Sequence, residues 1–204
     1  MENKLNIVLE KAFGYKNFRK GQEEIVKNIL DKKNTLGVMP TGGGKSICYQ
    51  IPAIIKKGTT IVISPLISLM KDQVNELNSS GISATTINSS MGNKEISDEL
   101  RKIRDNKIKL LYVSPERLLL DSFIELANSI TVPFLIIDEA HCISQWGHDF
   151  RKSYLDINTF IEKLEKKPVI GAFTATATEK VMEDIKNTFN ISDESTFKEN
   201  VDRE

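Results

Sequence analysis

Lys45 and Ser46 follow three consecutive glycines in the octet Met39-Pro40-Thr41-Gly42-Gly43-Gly44-Lys45-Ser46, and that order suits a phosphate. Glycines let backbone N–H groups turn inward and approach an anion, the lysine adds a mobile positive charge, and a serine hydroxyl at a helix start can ligate magnesium. Thr41, Gly42, Gly43, Gly44, Lys45 and Ser46 are therefore expected to cradle the phosphates of a nucleotide. The usual phosphate-loop pattern begins with a glycine where this chain has Met39, so the match is strongest at its Gly44-Lys45-Ser46 end. A second chemical signal is Asp138-Glu139, two carboxylates leaving an apolar run. Phosphoryl transfer to water needs two such groups with different duties. Asp138 is expected to hold Mg2+ together with Ser46, Glu139 to orient and deprotonate the attacking water, and Lys45 to neutralise charge growing on the phosphates. His141 is close enough in sequence to report the state of the terminal phosphate, although a structural histidine fits the spacing as well. Together these residues imply hydrolysis of a nucleoside triphosphate.

Two aromatic clusters are less decisive on their own. Phe13 to Gln22 gathers three aromatics, Arg19 and Gln22 ahead of a helix, which suits either a purine pocket or a packed corner between helices. Ile143 to Arg151 holds Trp146, the only tryptophan, beside Gln145, His148, Phe150 and Arg151. Such a loop can stack on unpaired bases without sequence preference, or simply bury its tryptophan. His141, Cys142 and His148 offer metal-ligand atoms, but their spacing matches no common zinc site and no fourth ligand is evident.

The elements that must position these residues follow from periodicity. Thr35–Val38, 60–63, 84–87, 109–113, 134–137 and 169–173 are short apolar runs, and helical patterns fall at 5–13, 23–30, 47–55, 66–77, 94–104, 115–128 and 154–164. Near-continuous apolar strands alternating with helices predict an α/β fold, a mainly parallel sheet with helices on both faces. Such sheets bind ligands beyond the carboxyl ends of their strands, and there the polar residues of this chain collect. Domain organisation is expected as an N-terminal helical segment over residues 1–33, a nucleotide-binding lobe over 34–190 and a polar tail over 191–204.

Lys plus Arg equals Asp plus Glu at 28 each, so overall charge argues for no particular partner, although residues 1–57 carry a surplus of +6 and residues 179–204 one of −4. Two cysteines exclude a disulfide framework and suit a reduced, intracellular setting. Neither a signal-like N-terminus nor an apolar run of about 18 residues is present, so no membrane partner is expected.

Several stretches, taken in order, carry a resemblance that spacing alone does not. They are Phe13-Gly14-Tyr15 with Phe18-Arg19 and Gly21-Gln22, the octet Met39–Ser46, Ser64–Val74, Tyr112–Leu118, Asp138-Glu139-Ala140-His141, Cys142–Arg151 and Phe173–Thr178. The chain resembles the first RecA-like lobe of a RecQ-family DNA helicase of superfamily 2, over nearly its whole length. The resemblance implies a RecA-like P-loop NTPase domain with ATP and Mg2+ as cofactors. It implies that Tyr15, Arg19 and Gln22 contact adenine, that Ser68 and Lys71 face a DNA backbone, and that Trp146, Phe150 and Arg151, helped by Gln145 and His148, sense single-stranded or forked DNA. Thr174 and Thr176 would link hydrolysis to strand separation. The implied activity is 3'-5' unwinding driven by ATP, in the bacterial cytoplasm near the nucleoid if the source is bacterial. Lys20 and Lys152 stand where the family often has proline, which should alter loop stiffness more than chemistry. A second lobe carrying an arginine finger is implied as well; the chain is expected to be a fragment that meets that lobe through Phe197–Arg203, and to turn over slowly without it. The Asp-Glu-Ala-His signature is shared with a group of RNA helicases, so an RNA helicase or another nucleic-acid-stimulated P-loop ATPase is the alternative.

Overall fold

A computed structural model describes residues 2–199. Among them, seven short strands form a sheet: β1 (Thr35–Val38), β2 (Thr60–Ile63), β3 (Ala84–Ile87), β4 (Leu110–Val113), β5 (Phe134–Ile137), β6 (Val169–Thr174) and β7 (Thr196–Lys198), in the order β3-β4-β2-β5-β6-β1-β7. Every residue of β1, β2, β4 and β5 is buried, as strands covered on both faces must be. The helices are α1 (Glu2–Phe13), α2 (Gln22–Leu30), α3 (Lys45–Ile55), α4 (Ile67–Ser79), α5 (Asn93–Arg104), α6 (Asp121–Ser129), α7 (Asp156–Lys163) and α8 (Glu179–Phe189). None is long and apolar enough to cross a membrane among the described residues.

The chain divides into two compact units. The first comprises the stretch up to Pro52, Ile137–Arg151 and the chain from Val169 onward. Here β1 lies parallel to both β6 and β7, with Val38 level with Thr174 on one side and Lys198 on the other. The ladder continues past the strand ends, since Met39 N donates to Thr174 O at 3.0 Å and Glu199 N to Val38 O at 2.9 Å. Asn34 pins the entry to β1: its Nδ2 donates to Phe189 O and its Oδ1 accepts from Ile170 N, both at 2.9 Å. Ile25, Val26 and Ile29 of α2 are buried, and the Tyr49 ring of α3 meets the Phe173 ring of β6 at 5.5 Å between centroids. Burying each such side chain contributes roughly 1.5–3 kcal/mol.

Two elements of this unit escaped the periodicity reading. α8 has its own signature, an N-cap Thr178 accepting from Val181 N at 3.4 Å and buried Val181, Met182, Ile185 and Phe189 on one face. β7 falls inside the stretch expected as a polar tail; with only three residues and a half-buried pattern it carries too little apolar sequence to read as a strand, and its pairing with β1 is what makes it one.

The second unit comprises Ala53–Ile136 and Lys152–Pro168. In it β4 runs parallel to β2 and β3. Asn78, near the end of α4, donates to Ala84 O and accepts from Ala84 N, both at 3.0 Å, and so fixes where β3 begins. The helical pattern expected over 115–128 divides into a single tight turn at Pro115–Arg117 and then α6, because Leu120 adopts an extended backbone just before Asp121. The pattern over 154–164 divides likewise, into a tight turn at Lys152–Leu155 and α7. The compact units therefore cut the chain differently from the expected boundaries at 33 and 190. Parallel crossovers return the chain to one region from distant sequence, and linear composition does not record that.

Candidate nucleotide site and its aromatic loop

The candidate site lies in the first unit, at the carboxyl ends of β1, β5 and β6. β1 ends at Val38 and α3 begins at Lys45, so residues 39–44 form the loop between a buried strand and a helix N-terminus. That loop is held from outside by two residues expected to contact adenine. Arg19 Nη1 donates to Gly42 O at 2.5 Å. Gln22 is buried, with 2% of its surface exposed; its Oε1 accepts from Arg19 N at 2.8 Å and its Nε2 lies 3.2 Å from both Gly43 O and Gly44 O. The backbone at Gly44 favours glycine, and a side chain there would displace the Gln22 amide. Its φ is +77°, and a Cβ there would fall 2.3 Å from Gln22 Nε2. Tyr15 is 52% exposed, and among the described residues no hydrogen bond or ring contact joins it to Arg19 or Gln22. Lys45 Nζ donates to Met39 O at 3.2 Å, across the mouth of the loop, and Ser46 is the second residue of α3. Thr41 is exposed at the tip.

From the end of β5 come Asp138 and Glu139. Glu139 N donates to Asp138 Oδ1 at 3.0 Å, and Glu139 has a left-handed backbone, φ 50° and ψ 45°. For a residue with a side chain this conformation costs on the order of 1–3 kcal/mol and persists where the surroundings impose it. Burial pushes the Asp138 carboxyl up to about 6, and the neighbouring Glu139 charge adds to the effect.

His141 joins Glu139 to the end of β6. Its Nδ1 is 2.8 Å from Thr174 Oγ1 and 3.3 Å from Glu139 Oε2. Thr174 Oγ1 in turn donates to Thr176 O at 3.1 Å, which leaves the hydroxyl to accept a proton carried on His141 Nδ1. Burial holds the His141 pKa below its ordinary value, with Glu139 opposing, so the ring is neutral near pH 7. Its flat face stacks on His148, 4.4 Å between centroids and 16° between planes.

The segment Cys142–Arg151 folds back over this histidine. Arg151 N donates to Cys142 O at 2.9 Å, and Arg151 Nε and Nη2 both donate to Asp149 Oδ2, at 3.2 and 3.0 Å. Gly147 packs so closely that a Cβ would fall 2.6 Å from His141 O. Trp146 and Phe150 are left exposed, and so are Gln145 and His148. Sequence reasoning missed three members of this arrangement. Ser144 Oγ donates to Asp184 Oδ2 at 2.5 Å while accepting from Trp146 N at 3.2 Å, and Asp149 holds Arg151. Reading α8 as a helix would have placed Asp184 within reach of suspicion; nothing local marks Asp149.

Metal-ligand atoms of His141, Cys142 and Asp149 lie within 4.8 Å of one another, so Asp149 takes the place His148 has in the sequence-based trio. Asp149 is already engaged by Arg151, and burial pushes the Cys142 thiol up to about 12, which opposes formation of a metal-binding thiolate. Ser68 and Lys71 are in the second unit. Both are exposed, three residues apart in the first turns of α4, and therefore on one face. In that unit Arg117 Nη2 lies 3.4 Å from Asn88 O, and the side-chain oxygens of Ser64 and Ser114 are buried without a hydrogen-bond partner.

A sequence profile of the DEAD/DEAH box helicase family matches residues 19–185. The ATP-dependent DNA helicase RecQ of Bacillus subtilis (strain 168) is 51% identical over 205 residues, covering 100% of this chain and 35% of the relative. That of Haemophilus influenzae is 48% identical, covering 90% and 30%. The chain thus spans about a third of the length of the curated relatives it matches. Among solved structures, a hypothetical ATP-dependent RNA helicase from Sulfolobus tokodaii superposes with a TM-score of 0.72 at 21% identity, over 98% of this chain and 57% of that one. The Hef helicase domain of Pyrococcus furiosus gives 0.70 at 18% identity, over 91% and 38%. At these identities the likeness shows the fold, a RecA-like helicase lobe.

Proposed function

The chain belongs to the DEAD/DEAH box helicase family, and from that premise we propose that it is the ATP-binding lobe of a RecQ-type 3'-5' DNA helicase, in which ATP hydrolysis is coupled to movement along single-stranded DNA. The observation that carries the reading is a set of polar contacts linking the hydrolytic carboxylate to the aromatic loop. Glu139 meets His141, and His141 meets both Thr174 and the stacked ring of His148. A strand that moves Trp146 or Phe150 would thereby disturb the partner of Glu139. Identity of 51% with a DNA helicase over the whole chain supports the DNA assignment.

In this reading Gly42–Gly44 and Lys45 receive the phosphates of ATP, and Tyr15, Arg19 and Gln22 favour adenine over guanine, Gln22 by turning its amide from the carbonyls of Gly43 and Gly44 to the base. The residues fit Mg2+: Asp138 is a carboxylate whose charge is disfavoured by burial and by Glu139, and a divalent cation relieves both effects. Ser46 and Asp138 would hold it, and when bound it supplies charge neutralisation at the terminal phosphates. Glu139 accepts the proton of the attacking water, positioned by its left-handed backbone. His141, neutral and hydrogen-bonded to Thr174, orients Glu139. Ser68 and Lys71 meet backbone phosphates, which position a strand without reading its sequence.

The test is single-turnover hydrolysis of labelled ATP together with nucleotide binding. Glu139→Gln is expected to keep Mg·ATP binding and to lose roughly 10²-fold or more in rate. Unchanged hydrolysis would remove Glu139 from the role of base. Binding of oligo-dT in preference to the matching oligo-U supports the DNA reading, and the reverse preference supports an RNA helicase.

A further inference from the structure

Trp146 is 64% exposed, yet one face of its indole is covered: Lys180 Nζ sits 3.1 Å from the ring centroid. The contact is built by one helix. Asp184 and Lys180 are four residues apart on α8 and so lie on the same side of it; Asp184 anchors the root of the aromatic loop through Ser144, and Lys180 covers its tip. A lysine at this place is not explained by the helix itself. It is the second residue of α8, where the helix dipole disfavours a cation. Nor does an ion pair explain it, since among the described residues none is formed by Lys180, and Glu179 beside it pairs with Lys198. Next to the covered ring opens a cleft of about 310 Å³ lined by His141, Trp146, His148, Thr176, Thr178 and Val181.

We infer that Lys180 is a displaceable cap on Trp146, an ammonium that occupies the indole face until a base of an unpaired strand takes its place. The inference rests on the single-strand reading of the loop and adds a residue that sets its affinity. An exposed cation–π contact corresponds to about 2- to 5-fold in equilibrium, and stacking of a base on an aromatic ring to roughly 5- to 150-fold. The base therefore wins the face, and the cap lowers the affinity without blocking it. Phe150, also exposed, has no such cover among the described contacts and stays available to the strand throughout.

Because Trp146 is the only tryptophan, its fluorescence reports this site in the 204-residue chain without labelling. Lys180→Met keeps the aliphatic stem and removes the charge, whereas Lys180→Arg keeps a cation that stacks. In the chain alone, acrylamide should quench Trp146 more strongly in Lys180→Met than in the unaltered protein or Lys180→Arg. On titration with the oligonucleotide dT12, Lys180→Met should bind about 2- to 5-fold more tightly, with Lys180→Arg near the unaltered protein. An abasic strand of the same length should show no such gain. Equal acrylamide quenching in all three proteins, or equal or weaker dT12 binding by Lys180→Met, overturns the cap. If dT12 binds none of the three and leaves Trp146 fluorescence unmoved, the single-strand reading of the loop fails with it.

Discussion

Asp138 shows how a single side chain can be placed against its own stability. Its carboxyl ionises at about 6 in the folded chain, against 3.8 for the unperturbed group, because burial and the charge of Glu139 both disfavour the anion. The sign follows from linkage: a raised folded-state value favours the protonated group, so the stability it allows is fully present below about 3.8 and is lost as pH rises through about 6. Asp138→Asn, which does not titrate, should therefore stabilise the chain by about 3 kcal/mol at pH 7–8 in the absence of nucleotide and divalent ions. That advantage should fade between pH 6 and 4, as followed by urea unfolding. An advantage that stays constant across this range would mean that the carboxylate is not under strain. Glu139 beside it is strained in its backbone rather than its charge. Two adjacent residues held unfavourably in different ways suit the catalytic roles proposed for this corner.

At the scale of elements, the tight seam is between the Asp-Glu-Ala-His turn and the aromatic loop. Gly147 has no room for a side chain, since a Cβ would fall 2.6 Å from the His141 carbonyl oxygen, a backbone atom that cannot rotate away. Gly147→Ala should push the loop off the histidine, costing about 1–3 kcal/mol by overpacking. The prediction is local: Trp146 fluorescence anisotropy should fall as the loop loosens, while nucleotide binding at the loop between β1 and α3 is retained. Unchanged anisotropy would show that the loop is not held through this contact. The phosphate loop is organised in the same manner. Arg19 and Gln22 engage the carbonyls of Gly42, Gly43 and Gly44, so the residues proposed to select the base also shape the loop proposed to hold the phosphates.

For the whole molecule, the balanced charge of 28 against 28 gives no net attraction for nucleic acid. In the proposed reading, binding to a strand then depends on local contacts at exposed residues such as Trp146 and Phe150. It should show a shallow salt dependence, close to that of a few phosphate contacts rather than the 6–10 of a strongly basic DNA-binding protein. A further expectation concerns rate. The 204 residues carry carboxylates, a lysine and a hydroxyl for the nucleotide, and no arginine among those assigned to the terminal phosphate. An arginine finger is worth roughly 10³- to 10⁵-fold, so turnover by these residues alone should be slow and barely raised by single-stranded DNA. Robust DNA-stimulated hydrolysis by the isolated chain would falsify this.

The fold class was legible in the amino-acid order, and so were the residues proposed for the nucleotide. A glycine-rich loop between a strand and a helix, paired carboxylates at a strand end and apolar runs of strand length depend on near neighbours, so the sequence determined the α/β class, the edge where polar residues collect and the residues assigned to phosphate. Elements of little apolar content, such as β7, and contacts across distant stretches were decided only by the tertiary structure. Gln22 turns its amide onto the phosphate loop because α2 packs beside β1. Asp149 reaches Cys142 and Arg151 because the aromatic loop doubles back, and Lys180 reaches Trp146 because Asp184, one turn along α8, holds that loop's root. Each of these pairings joins residues whose partnership is set by packing, and packing is the information that spacing along a chain does not contain.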